Sequence, residues 1–222
     1  ADGVGTEGWW LDFADPQLNE LLARLVTDNL NLRQAFLRLD QLEARQRTAQ
    51  AGFFPSLNLN ANGRREQTVG QTGIENQTTS ARLTLAAAYE VDLWQRLHHR
   101  AAAAELRLLA GEEEVSTLVL SLSARLAELY FIGVEQRAQL DLLKRRLNHN
   151  QELVRIIAER YQSGLAGAGE LYQAQQNLAQ MEAQIPLFEI TLSQTSNAMA
   201  LLLGQPPGSI RIERTDLPTL ST

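Results

Sequence analysis

Apolar residues recur along this chain with two different periods. Three stretches keep a 3-4-3-4 spacing, the seam of a helix that packs lengthwise on another. The first runs Leu18, Leu21, Leu25, Asp28, Leu32, Ala35, Leu39, Leu42, Gln46, Ala49 and Phe53. The second runs Val115, Val119, Leu122, Leu126, Leu129, Gly133, Gln136, Leu140, Leu143, Leu147, Asn150, Val154, Ile157 and Tyr161. The third runs Leu171, Ala174, Leu178, Met181, Ile185, Phe188, Leu192, Thr195, Met199 and Leu202. The middle stretch carries an offset second stripe, Leu120, Ala124, Ala127, Phe131, Val134 and Ala138, which predicts a second neighbour. Helices are therefore expected over 15–53, 96–163 and 169–204. At about 1.5 Å per residue the middle one spans on the order of 100 Å and the others about 58 and 54 Å. The two shorter helices laid end to end would match the long one.

Punctuation supports these limits. Asp15-Pro16 reads as an N-cap followed by proline in the first turn. The proline of "FFPS" stops the first helix. The glycines of "SGLAGAGE" (163–170) turn the chain, "GQPPG" (204–208) ends the last helix, and Pro186 is expected to kink it.

Between the first two helices the period drops to two. In "SARLTLAAAYEVDLW" (80–94), Ala81, Leu83, Leu85, Ala87, Tyr89, Val91 and Leu93 alternate with residues that include Arg82, Thr84, Glu90 and Asp92. In "PSLNLNANG" (55–63), Leu57, Leu59 and Ala61 alternate with Ser56, Asn58, Asn60 and Asn62. The polar, glycine-bearing stretch between them reads as a loop. The prediction is a hairpin of two strands of about ten residues, the length that crosses a membrane in a barrel. Phe53, Phe54, Tyr89 and Trp94 gather at the end where the helices join, as in an aromatic girdle. The competing reading is a half-buried hairpin in a soluble α+β protein. A lone hairpin leaves its edges unpaired in lipid, so the membrane reading requires a closed barrel made with other copies.

Composition narrows the classes. The chain has 222 residues, a net charge of −6 and no cysteine. The charge argues against nucleic acid as a partner, and the missing thiols exclude disulfides and thiolate metal sites. No run of about 18 apolar residues predicts a spanning helix. The first residues show neither a basic nor an apolar leader pattern, as a mature exported chain would not.

Chemistry-bearing clusters are few. His98 and His99 are adjacent and point about 100° apart on a helix, so no shared metal is expected. Glu112, Glu113 and Glu114 read as a solvated helix face, or else as a lumen patch. No nucleophile set, phosphate loop or acid pair stands out, so neither enzyme activity nor a cofactor is expected.

Several segments together resemble the TolC-like outer-membrane efflux channels, in the lipoprotein branch that works with RND pumps. They are "GWWLDFADPQLNELLARLVTDNLNLRQA", "FFPSLNLNANG", "AYEVDLWQRL", "RYQSGLAGAGELYQAQ" and "NAMALLLGQPPG". The second resembles the start of the family's first strand, the third its exit from the second strand, the fourth its periplasmic hairpin tip. The resemblance implies a mainly α fold with one β-hairpin: a long coiled-coil helical hairpin, one stave of an α-barrel, plus two transmembrane strands given to an oligomeric β-barrel. Residues 15–54 and 96–204 would form the periplasmic tunnel, 55–95 the outer-membrane hairpin, 1–14 an N-terminal extension and 205–222 a C-terminal linker.

The implied function is passive: an outer-membrane exit duct of a tripartite drug, metal or small-molecule efflux pump of a Gram-negative bacterium, reaching into the periplasm. Its partners would be a periplasmic adaptor, an inner-membrane RND pump and outer-membrane lipid. Leu57, Leu59, Ala81, Leu83, Leu85, Ala87 and Tyr89 would face lipid, and Arg82, Thr84, Glu90 and Asp92 the lumen. Arg160, Ser163, Gly164, Leu165 and Glu170 at the tip would contact the adaptor, where the plain reading is a helix–helix turn. Glu170, Gln173 and Gln176 are candidates for the tunnel's constriction. A soluble periplasmic adaptor or coiled-coil scaffold is the alternative class.

The chain departs from the family pattern at named points. Gln95 stands where glycine is usual, Ser163 replaces a hydrophobe, and Gly167, Gly169 and Glu170 replace a serine, a hydrophobe and an aspartate. The family's lipid-bearing cysteine is missing. Only one of the family's two repeats is expected here, with "RIERTDLPTLST" as the lead into a second. Two-repeat chains would form a homotrimer; a single repeat would need six copies for the same twelve strands.

Overall fold

The computed structural model describes residues 8–69 and 75–215. After a 3-10 turn at Trp9–Phe13 the elements are α1 (Pro16–Asp28), α2 (Leu30–Ala51), β1 (Ser56–Val69), β2 (Glu75–Ala88), α3 (Arg96–Gln162) and α4 (Ala168–Leu202). They divide into two compact units: residues up to Phe36 together with those from Glu113 onward, and Leu37–Glu112.

The first unit is a helical core. Leu18, Leu21, Leu22 and Leu25 of α1 pack with Leu126, Ala127, Leu129, Tyr130 and Val134 of α3, with Met199 and Ala200 of α4, and with Leu203, Ile210 and Ile212 beyond it. Trp9, Trp10 and Phe13 close the core from the amino-terminal side, with Phe13 stacked at a tilt 5.1 Å from Phe131. A smaller cluster of Leu32, Val115 and Val119 continues along α2 and α3. Nearly every seam position is at least partly covered; Asp28 and Tyr161 are the exposed ones.

Four polar or small seam positions have identifiable partners. Thr195 Oγ1 donates to Gln136 Oε1 at 2.9 Å, so the exceptions of two seams meet each other. Asn150 Nδ2 reaches Met181 Sδ at 3.2 Å. Gly133 leaves room for Ile212, whose Cδ1 lies 2.0 Å from where a Cβ would stand. A matched polar pair at one level of a seam fixes register, because sliding either helix would bury both groups unpaired.

One helix expected over 15–53 is two. The break is at Asn29, whose backbone is extended (φ −67°, ψ 123°). Its buried side chain accepts from Leu32 N at 2.9 Å, capping α2, and donates to Leu202 O at 2.6 Å, capping α4. The amide thus satisfies orphan groups of two helix ends at once. Gly204 docks beside it: a Cβ there would stand 2.8 Å from Asp28 O.

The same geometry stops the chain twice, once just before α4 and once at its end. Leu165 N donates to Arg160 O and Gly164 N to Tyr161 O, with Gly164 at φ +74°; Gln205 N donates to Ala200 O and Gly204 N to Leu201 O, with Gly204 at φ +64°. Both are Schellman stops, which need a left-handed residue and therefore favour glycine. The first ends α3 and leads into α4; the second ends α4 itself.

In the second unit the last turns of α2 pack on the first turns of α3. Ala49, Leu97 and Ala104 are buried. Gly111 admits Leu42 and Leu39, and Gly52 admits Leu97. The Phe53 ring meets the edge of His98 at 4.8 Å. From this base rises the two-stranded antiparallel sheet β1-β2.

Candidate functional site

The hairpin register runs from Ser56↔Ala88 to Val69↔Glu75. It places Leu57 opposite Ala87, Leu59 opposite Leu85, Ala61 opposite Leu83 and Gly63 opposite Ala81. Side chains alternate across a strand, so these four pairs form one continuous apolar face. Asn58, Asn60 and Asn62, opposite Ala86, Thr84 and Arg82, share the other face. No described residue of the unit covers the apolar face: Leu57, Leu59, Leu83 and Leu85 keep 66–72% of their surface exposed. A hairpin packed on its own helices would have hidden these leucines.

The strands differ from the sequence expectation at both ends. They have 14 residues each, because 64–69 and 75–79, read as loop, are paired strand. Apart from Val69 these residues are polar and show no alternation, yet cross-strand hydrogen bonding does not require apolar side chains. At the other end β2 stops at Ala88, so Tyr89, Glu90 and Asp92 are not strand residues. The next partner in register would be Pro55, which has no N–H to give.

Glu90 and Asp92 instead hold the start of α3. Asp92 Oδ2 accepts from Leu97 N at 3.0 Å, His98 N at 3.1 Å and His98 Nδ1 at 2.8 Å. Burial pushes its carboxyl upward, but the His98 ring and the two backbone N–H groups outweigh that and hold it below the usual carboxylate range. Glu90 takes Arg96 on both oxygens, at 2.5 and 2.6 Å. Between them Gln95 adopts φ +58°. Glycine would take that left-handed backbone freely, and Gln95 occupies it at a steric cost. Tyr89 and Trp94 flank the junction, both exposed.

The tip residues come together around one turn. Ser163 Oγ donates to Glu159 O at 2.9 Å. Leu165 stands out from the turn with 71% of its surface exposed. Glu170 lies in the first turn of α4, favourably placed against the helix dipole. Of the tip glycines only Gly164 has positive φ; Gly167 precedes α4 as its N-cap residue. Below the tip, Arg155 is clamped by Glu152 at 2.5 Å and Glu159 at 2.6 Å.

One polar node escaped sequence reasoning. Asp15, buried, caps α1 by accepting from Gln17 N and Leu18 N. Its other oxygen accepts from Tyr130 Oη at 2.8 Å and from Arg214 at 2.6 Å. Burial raises the Asp15 carboxyl; the Leu18 N–H, the Tyr130 hydroxyl and Arg214 more than offset it, so it titrates below its ordinary range. Burial first, then Asp15, pushes the Tyr130 hydroxyl well up. Gln17 Nε2 also donates to Arg211 O at 2.9 Å. The segment leaving α4 is thereby tied back to α1. Only the Asp15-Pro16 cap was visible in sequence; its partners lie 115 and 199 residues away.

Known proteins share this arrangement. The chain is 28% identical over 214 residues to the pyoverdine export outer membrane protein OpmQ of Pseudomonas putida, covering 93% of this chain and 46% of that protein. The CmeC outer membrane channel of Campylobacter jejuni superposes with a TM-score of 0.81 at 25% identity, over 98% of this chain and 47% of CmeC. The outer membrane protein VceC of Vibrio cholerae gives 0.79 at 26% identity, over 96% of this chain and 53% of VceC. The chain thus spans about half the length of the relatives it matches. The family model of the outer membrane efflux proteins matches residues 21–205, most of the sequence, and the chain belongs to that family.

Proposed function

We propose that this chain forms one repeat of a passive outer-membrane exit duct that serves a tripartite efflux pump in a Gram-negative bacterium. The observation that carries the reading is the apolar face of the hairpin, continuous over four cross-strand pairs and uncovered. Leu57, Leu59, Ala81, Leu83, Leu85 and Ala87 meet lipid, while Arg82 and Thr84 share the opposite face and line the lumen. Tyr89 and Trp94 stand at the membrane boundary below the strands, where aromatic side chains settle. The helical segments 15–54 and 96–204 belong to the periplasmic tunnel, and 205–222 leads toward a second repeat.

Arg160, Ser163, Gly164, Leu165 and Glu170 form the contact for a periplasmic adaptor, which links the duct to an inner-membrane pump. Exposed Leu165 is the anchor of that contact, and Arg160 and Glu170 its polar rim. Copies close a barrel because two strands alone leave unpaired edges in lipid. Three two-repeat chains, or six copies of a single repeat, supply twelve strands.

Light scattering of the purified chain with and without detergent tests this. A detergent-dependent species of about six copies is the expected result for a repeat that closes its own barrel. A monodisperse, detergent-independent monomer would overturn the six-copy barrel and mean that this repeat alone does not enter lipid, its channel needing a second repeat.

A further inference from the structure

We infer that Arg65 is a binding site for the phosphate of a lipid headgroup at the outer edge of the membrane. The inference rests on the proposed outer-membrane placement of the hairpin. Residues of β1 at odd positions share the face that carries Leu57, Leu59 and Ala61, and Arg65 is next on that face after Gly63. It stands opposite Thr79, and the following pair on the same face is Gln67↔Gln77. The stripe therefore changes from apolar to polar at one position, and the first side chain after the change is a cation.

Its surroundings leave that cation available. Arg64 is on the opposite face and pairs with Glu66 at 3.4 Å. Arg65 itself makes no ion pair among the described residues and is exposed. The run from Leu57 to Arg65 covers about 26 Å along the strand, or roughly 20 Å of depth at a barrel tilt of about 40°. Arginine on a lipid-facing strand is costly at mid-membrane and nearly free at the interface. The long side chain extends further outward, carrying its guanidinium to headgroup level.

The helices join the hairpin at its other end, so Arg65 is on the leaflet away from the periplasm. A lipid whose headgroup carries phosphate on a saccharide would present that anion at this level. A guanidinium takes phosphate through two parallel hydrogen bonds, and the Thr79 hydroxyl opposite adds a third donor.

The test is flotation of the purified chain with three kinds of vesicle: phosphatidylcholine alone, phosphatidylcholine with lipid A carrying its phosphates, and phosphatidylcholine with dephosphorylated lipid A. Wild type is expected to partition about fivefold more strongly when the phosphates are present, the equivalent of about 1 kcal/mol per basic residue at an anionic surface. Arg65→Gln loses that increment, Arg65→Lys keeps most of it, and Arg64→Gln, on the other face, keeps all of it. If Arg65→Gln retains the increment, or Arg64→Gln loses it equally, the proposal is overturned. Wild type that floats with every vesicle yet gains nothing from phosphate leaves the membrane reading standing and removes Arg65 as the site. Wild type that floats with none overturns the membrane reading, and this proposal with it.

Discussion

The core around Leu22 and the hairpin face around Leu83 use the same kind of side chain to opposite ends. Leu22 is 1% exposed and sealed among α1, α3 and α4, while Leu83 is 72% exposed on a sheet face that no described residue covers. In the core the chain supplies its own apolar environment, and it finishes the boundary with polar groups that satisfy one another: Asp15, Tyr130 and Arg214. On the hairpin it supplies only one wall. A leucine's burial in the folded chain therefore separates the self-contained core from an apolar surface of the kind that marks a partner or a membrane.

The most direct way to break this contrast is to truncate one leucine from each region. Leu22→Ala should cost about 2–5 kcal/mol of stability in chemical denaturation. Leu83→Ala, measured the same way without detergent, should change stability by no more than about 0.5 kcal/mol, as an exposed position does. Comparable losses at both sites would mean that the hairpin face is packed after all.

Asn29→Ala probes how the first unit is fastened, with a loss of about 1–3 kcal/mol as the Leu202 carbonyl and the α2 amino terminus lose their partner. Asn29→Ser should recover part of it, because serine still caps α2 but cannot reach α4. Thermal melts of the three proteins separate the two contributions.

The buried node predicts a pH response of smaller size. Asp15 is held below its ordinary value near 3.8, so its contribution is complete above that pH and disappears as pH falls through the lower, folded value. Tyr130 is raised from 10, so its contribution is complete below pH 10 and is lost as pH climbs beyond it. The node's own share of stability should be flat between these limits. Asp15→Asn keeps the helix cap, and it should remove the node's share of the acid limb. An unchanged acid limb would mean that other carboxylates set it.

The smallest expected effect belongs to the junction below the hairpin. Gln95→Gly relieves a left-handed non-glycine residue and should stabilise the second unit by up to about 1 kcal/mol, the unfolded-state entropy of glycine reducing the gain. Hydrogen exchange at Leu97 and His98, whose N–H groups Asp92 accepts, reads this locally. Faster exchange in the variant would show that Gln95 is not strained.

Sequence reasoning succeeded where a period carried the information. The three seams are covered in the fold, and the alternating leucines do share one face. It failed where partners decide. Residues 64–69 and 75–79 are strand because they face each other, which neither segment reveals alone. Tyr89 to Leu93 keep the alternation but have no partner past Pro55. The seam runs on through Asn29 in phase, so the break between α1 and α2 leaves no gap in the pattern. Glu90 and Asp92, expected in the strand, lie past the end of β2: Asp92 accepts the first N–H groups of α3, which need acceptors, and Glu90 pairs with the Arg96 side chain.

The paired glycine stops around α4 make its length a counted quantity. One stop fixes where the chain turns into the helix, the other fixes where it leaves, and the seam between them admits only certain changes. Adding or removing seven residues in α4, matched by seven in the facing part of α3, returns every seam position to its partner, while three or four shift it into a tolerable stutter. One or two would rotate Thr195 away from Gln136 and Met199 out of the core while both stops still hold. Relatives that evolved longer or shorter ducts are therefore expected to differ here in quanta of the heptad, so that the helix behaves as a ruler with discrete marks.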